Sequence, residues 1–241
     1  MRRFIFLLLL LVLPISHARS LLIGTTAQNP PFNSLADDKD HFYGFDIDIM
    51  SEICLRIHQT CKFTPMVFNQ LFSALKGEKI DLAIAAIIIT PIRQEKFLFS
   101  LPYLSSNAQF MTLNKSSISS AKEIINTRIG TRLGTPFKEL AEDIYSDKIH
   151  ITNLPDIPDL MDGLNNGTLD VVLMDAEAAQ NWYTNNSKIY KLIGGPIPVG
   201  NGYGIMANLY AHKLLSEINQ ALLSMESDGT YLKIYSRYFS D

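Results

Sequence analysis

Arg93, Asp175 and Thr135 are the residues whose type and setting could do chemistry. Arg93 follows an apolar run in IAAIIITPIRQEKFLFS, residues 84–100. Such a run enters a core, and Thr90 and Pro91 turn the chain just before the arginine. A guanidinium at the end of a buried strand, beside N–H groups the strand leaves unpaired, is a receptor for a carboxylate. It binds both oxygens at once and stays charged. A surface arginine paired with Glu95 would give the same spacing. Asp175 ends a second buried run in LDVVLMDAEAA. A carboxylate there caps the helix that begins at Ala176, or faces an ammonium group, or does both. In TRLGTPFKEL, residues 131–140, Gly134 and Thr135 precede Pro136 at the opening of a helix. Backbone amides and a hydroxyl then meet a helix N-terminus, which favours an anion; an ordinary capped βα turn has the same pattern. Arg93 on one part of the chain, with Asp175 and Thr135 on another, matches the two ends of a zwitterion such as an α-amino acid.

Other chemistries lack their residues. The sequence holds no HExxH, no Cys-x-x-Cys pair, no phosphate-cradling Gly-rich loop and no GxSxG, so no metal or cofactor is expected. The five histidines, His17, His41, His58, His150 and His212, are scattered. Trp182, Tyr183 and Tyr190 read as packing. A formal charge of −3 argues against nucleic acid, whose phosphates need clustered Lys and Arg.

The elements that must position these residues alternate. Strands are expected at 21–26, 62–66 and 80–87, with helices at 45–58 and 69–77. The order repeats as strands at 128–131, 149–152 and 169–174, with helices at 137–146 and 157–166. LKGEKIDLAIA and LNNGTLDVVLM share a grammar: a helix ending at Gly77 or Gly167 in a left-handed cap, then Asp81 or Asp170, then a buried strand. Strands and helices of this length imply parallel sheets covered on both faces. The expected organisation is two α/β lobes joined by two crossovers, near 105–112 and 194–204. Lobe 1 takes 19–107 and 200–241, including helices at 211–225 and 229–238; lobe 2 takes 108–199. A cleft between hinged lobes traps small molecules, and ligands sit beyond the carboxyl ends of parallel strands. Ala85, Ala86, Ile88 and Thr90 should reach that edge with Arg93.

Residues 1–18 read as a secretory signal peptide cleaved after Ala18: Arg2 and Arg3, an apolar stretch from Phe4 to Leu13, then Pro14 and small residues. The stretch is too short for the roughly 20 residues that span a bilayer. Its loss moves the charge from −3 to about −5. In an exported chain, the lone pair Cys54 and Cys61 reads as a disulfide.

LLIGTTAQNPPF, YGFDIDIMSEI, ALKGEKIDLAIA, ITPIRQEKFLFSLPY, RIGTRLGTPF, LDVVLMDAEAA and DGTYLKIYSRYF resemble the periplasmic solute-binding proteins of polar amino-acid ABC importers, over essentially the whole chain after residue 18. The resemblance implies the type II periplasmic-binding fold, a periplasmic monomer, one bound L-amino acid and delivery to an inner-membrane permease. It places the α-carboxylate on Arg93 with the amides of Ile88 and Thr135. The α-amino group falls to Asp175 with the Ala86 carbonyl, and Phe68 walls the side-chain pocket. Two departures concern the ligand: Asn29 stands where the family often has an aromatic, and Ile88 where it often has Ser, Thr or Asp. The cysteine pair resembles that of arginine- and histidine-type binders. Yet Thr26 stands where those carry an acid, and Arg132 where they carry a neutral residue. An uncompensated Arg132 would repel a guanidinium, whereas glutamine could accept from Arg132 and bond Asn29. A basic ligand is expected first, with Gln28, Asp37 or Asp38 supplying compensation, and glutamine second. Two other classes remain open: an exported prephenate or arogenate dehydratase, with Asp175, Glu177 or His41 as general acid, and a sensor module.

Overall fold

The computed structural model describes residues 20–36 and 41–239. The expected signal peptide and the compensating residues Asp37 and Asp38 lie outside them. Along the chain come β1 (Leu21–Thr25), β2 (Gln28–Asn29), β3 (Asn33–Leu35), β4 (Phe42–Tyr43), α1 (Phe45–Arg56), β5 (Cys61–Pro65), α2 (Gln70–Lys76), β6 (Leu82–Ala83), the short helix α3 (Pro91–Gln94) and β7 (Leu98–Phe99). A second series follows: β8 (Asn107–Leu113), β9 (Arg128–Arg132), α4 (Phe137–Tyr145), β10 (His150–Leu154), α5 (Ile157–Asn166), β11 (Val171–Asp175), α6 (Ala176–Asn185) and β12 (Tyr190–Pro198). The chain closes with β13 (Met206–Ala207), α7 (His212–Ser227) and α8 (Thr230–Phe239).

Two five-stranded sheets result, ordered β5-β1-β6-β13-β7 and β10-β9-β11-β8-β12. In each, three parallel strands come from the repeated unit. Neither sheet is wholly parallel, which corrects the expectation. β13 runs antiparallel to β6 and β7, and β8 antiparallel to β11 and β12. Segments expected as links are therefore partly strand: β8 covers most of 105–112 and β12 the start of 194–204. The first sheet is left after Phe99 and regained at Met206, and the two crossings are tied together where Val199 N–H donates to Ser106 O at 3.1 Å.

The repeated grammar has a physical basis. The Asp81 carboxylate accepts from Leu22 N–H in β1 at 2.8 Å, and the Asp170 carboxylate accepts from Arg128 N–H in β9 at 2.8 Å. Each acid thus ties the approach to a third strand to its parallel neighbour. The caps differ. Gly167 is left-handed at φ 77°, but Gly77 is not, and Glu78 takes the left-handed turn at φ 56° instead.

The expected strand 80–87 is regular only over Leu82–Ala83, with Asp81 N–H and Ile84 N–H still donating to Leu22 O and Gly24 O of β1. Ala86 adopts φ 49° and gives its N–H to the Asp46 carboxylate at 2.8 Å, so the chain leaves the ladder there. The Cys54–Cys61 disulfide joins α1 to β5. Phe45 at the start of α1 packs edge-on against Tyr231, Tyr235 and Phe239 of α8, which seats the last helix on the first lobe. Trp182 meets Tyr190 edge-to-face in the core of the second, as packing.

Candidate functional site

The site forms where the carboxyl ends of the two parallel trios face each other. Thr90 caps α3, its hydroxyl accepting from Arg93 N–H at 3.4 Å with Pro91 in the first turn. This fixes Arg93 directly beyond the end of its apolar run. Its guanidinium does not pair with Glu95. Nη1 donates to Ile88 O at 2.5 Å and Nη2 reaches Gly134 O at 2.6 Å, in the loop after β9. The guanidinium also lies 5.0 Å from the Phe72 ring centre. Arg93 thus spans from one lobe to the other. Burial, with Arg132 nearby, pulls its pKa down to about 10, which leaves it charged at neutral pH. With five donors and two spent, the fork keeps N–H groups for an anion.

Asp175 ends β11 and stands at the N-cap position of α6, but its side chain makes no cap hydrogen bond. It turns inward, fully buried. Arg132 Nη2 pairs with it at 3.2 Å, and Tyr203 OH donates to it at 3.1 Å. Burial raises its pKa and Arg132 opposes that rise. This corrects the view of Arg132 as uncompensated. Arg132 closes β9, β9 and β11 are parallel neighbours, and Leu173 pairs with Thr131, so residues 43 apart in sequence end side by side. Arg132 is 1% exposed, and its guanidinium lies 4.1 Å from the centre of the Phe68 ring in the opposite lobe. Its Nε has no hydrogen-bond partner.

Thr135 also departs from expectation. Its N–H and its hydroxyl both donate to Arg132 O, at 3.2 and 2.6 Å, so they close a turn and do not face an anion. Pro136 is the N-cap of α4, which puts Thr135 one step outside the helix. Ile88 bridges Tyr203 through its neighbours: Ile89 N–H bonds Gly202 O and Gly204 N–H bonds Ile87 O, so the Ile88 amide is not used in the bridge. Ala86 gives its amide to Asp46. Thr26 donates to Asn33 Oδ1, and Asn33 Nδ2 donates to Asp46, so Thr26 supports the wall of the site through a relay. Asn29 is fully buried beside Asp175, where it eases that carboxylate's burial without reaching hydrogen-bonding geometry; neither of its amide atoms has a partner. Phe68 is buried, with its ring beneath the Arg132 guanidinium. The mouth between the lobes is a cleft of about 450 Å³, with Gln28, Met66 and Gln70 on one side and Asp156 and Asp159 on the other.

Two residues escaped the sequence reading. Asp46 is fully buried, accepts from Ala86 N–H, Tyr103 OH and Asn33 Nδ2, and is raised to about 7 by burial. Its signal was present: Asp46 shares a helical face with Ile49, Met50 and Ile53, and an acid in an apolar stripe needs a partner. Tyr203 bonds both Asp175 and Glu177, and burial lifts the Glu177 pKa to about 7. Its setting, GNGYGIM, carries no helical or strand period that could have revealed it. Among the described residues no group of three or more His, Cys, Asp or Glu could hold a metal, and no helix is long and apolar enough to cross a membrane.

Two lobes, an arginine that reaches from one to the other and a buried carboxylate near it are the arrangement of a two-lobed solute receptor. The chain belongs to the bacterial extracellular solute-binding proteins, family 3, which it matches over residues 21–241. It is 44% identical to a structure described as an arginine third transport system periplasmic binding protein from Legionella pneumophila, covering 92% of this chain and 100% of that one, with a TM-score of 0.88. It is 29% identical to an ancestral arginine-binding protein bound to glutamine, covering 93% of this chain and 100% of that one, TM-score 0.85. It is also 28% identical to the ABC transporter arginine-binding protein 1 of Escherichia coli (strain K12), over 93% of this chain and 92% of the relative.

Proposed function

We propose that this chain is a monomeric periplasmic receptor that captures one polar L-amino acid and delivers it to an inner-membrane ABC permease. Residues 1–18 are its export signal. Lobe 1 is 19–107 with 200–241 and lobe 2 is 108–199, and the lobes close over the ligand. The observation that carries the reading is the span of Arg93, from Ile88 O in one lobe to Gly134 O in the other, with the buried Asp175 near enough to act on its charge. A guanidinium at that position holds the α-carboxylate and an aspartate holds the α-ammonium. Ile88 adds an unspent amide, Ala86 a carbonyl, and Phe68 packs against the side chain. Thr135 shapes the turn and becomes an anion donor only if that turn rearranges on binding.

The names of the relatives and the cysteine pair put a basic ligand of the arginine type first. Glutamine is the second reading, favoured by the unpartnered Arg132 Nε and Asn29 amide. No catalytic role is assigned: Asp175 is tied to Arg132 and Tyr203, and Glu177 to Tyr203. The test is a thermal-shift screen of residues 19–241, unfolded and refolded to strip carried-over ligand, against the twenty L-amino acids and ornithine. A ligand at 100 times its dissociation constant adds about 2.7 kcal/mol. A shift with one or a few polar amino acids supports the reading. No shift with any, or turnover of added prephenate, overturns it.

A further inference from the structure

The guanidinium of Arg132 takes up, within the chain, two groups that a cationic ligand would otherwise meet: an aromatic face and a carboxylate. It lies over Phe68 at 4.1 Å and pairs with Asp175 at 3.2 Å. Asp156 and Asp46 act on it from farther away. The pairing is provisional, because the same Asp175 is the group available to a ligand's α-ammonium. When that ammonium arrives, Arg132 loses part of its compensation and gains a second cation as a neighbour.

The unsatisfied atoms describe what relieves this. Arg132 Nε is a buried donor without a partner, and Asn29 is a buried carboxamide with both its donor and its acceptor unpartnered. Leaving buried polar groups unpaired is costly. A side-chain carboxamide has a carbonyl that accepts from Arg132 and an NH₂ and oxygen that exchange bonds with Asn29. An ammonium or guanidinium side chain has no acceptor at all, and places like charge against a buried cation.

Building on the reading of this cleft as an amino-acid site, we propose that Arg132 sets the choice of side chain: its guanidinium already occupies the cation position over Phe68, which shifts the site away from arginine, lysine and ornithine and toward a neutral carboxamide. The balance between a basic ligand and glutamine therefore rests on this one side chain.

The test uses refolded 19–241 protein carrying Arg132→Met, Arg132→Gln or Arg132→Lys, with L-arginine and L-glutamine titrated calorimetrically into each variant and the wild type. In the Met and Gln variants the ratio of the arginine to the glutamine dissociation constant is expected to fall at least about tenfold, a change of about 1.4 kcal/mol. The Lys variant keeps the charge and is expected to keep the wild-type order, which a merely structural role would not produce. Should the Met variant fail to fold, the Gln and Lys variants still decide. If wild type binds and the ratio stays within about threefold in the Gln variant, or moves the other way, Arg132 does not set specificity, although the amino-acid reading stands. If no protein binds any amino acid, both readings fall.

Discussion

Replacing Arg93 by alanine removes more than a charge. The wild-type fork donates to Ile88 O at 2.5 Å and Gly134 O at 2.6 Å, so the substitution deletes a tie between lobes as well as the group proposed to hold a carboxylate. Truncating one partner of a buried, hydrogen-bonded charge pair costs about 2–5 kcal/mol, much of it from leaving the other charge unpaired. Arg93 is half-buried, so about 3 kcal/mol is a fair centre, equivalent to a loss of affinity on the order of a hundredfold. Arg93→Lys retains a point charge without the fork and should fall between. Because the two carbonyl bonds are lost without ligand as well, the ligand-free variant should melt somewhat lower, and affinities are compared well below both midpoints. Calorimetric titration of stripped protein with its amino acid reads the effect. An Arg93→Ala affinity within about twofold of wild type refutes the carboxylate assignment.

Three further perturbations separate closure, the buried acid and the disulfide. Gly134 has φ 86°, and an added Cβ would lie 3.0 Å from Asn69 Cβ across the cleft; Gly134→Ala should weaken binding at least about tenfold by hindering closure, which a titration alongside a melting curve would separate from unfolding. Asp46 titrates near 7 when folded against an ordinary 3.8, so the folded state holds the extra proton between those values and stability falls as pH rises from about 4 to about 7. Asp46→Asn should flatten that slope in melting curves at pH 5 and pH 8, and an unchanged slope would place it elsewhere, Glu177 being the next candidate. Closing the short loop between Cys54 and Cys61 is worth about 2.5 kcal/mol in the chain-entropy view, so the double Cys→Ser variant should melt lower without losing ligand affinity.

Much of the architecture could be read from sequence because the parallel strands are buried on both faces and their helices carry clear apolar stripes. The paired Asp81 and Asp170 were visible as a repeat, and their role, binding the N–H of the first strand, explains why it recurs. The antiparallel strands could not be read in the same way. β13 and β7 are two residues long, and β8 and β12 pair only through the fold, so nothing local marks them as members of a sheet. The site divides along the same line. Arg93 and Asp175 stood out because each ends an apolar run. Their partners did not, since the Arg132–Asp175 pair depends on the register of β9 and β11 and the Thr135 turn on a carbonyl three residues back.

The proposed function requires this cleft to recognise the two charged ends of an amino acid. Its most direct test is a calorimetric titration of stripped 19–241 protein with the polar L-amino acids and, for any that binds, with the amine that lacks its α-carboxylate. Saturable one-to-one binding of at least one polar L-amino acid is expected, with a loss of at least about a hundredfold for the amine. Equal binding of the two, or no binding of any amino acid, would contradict it.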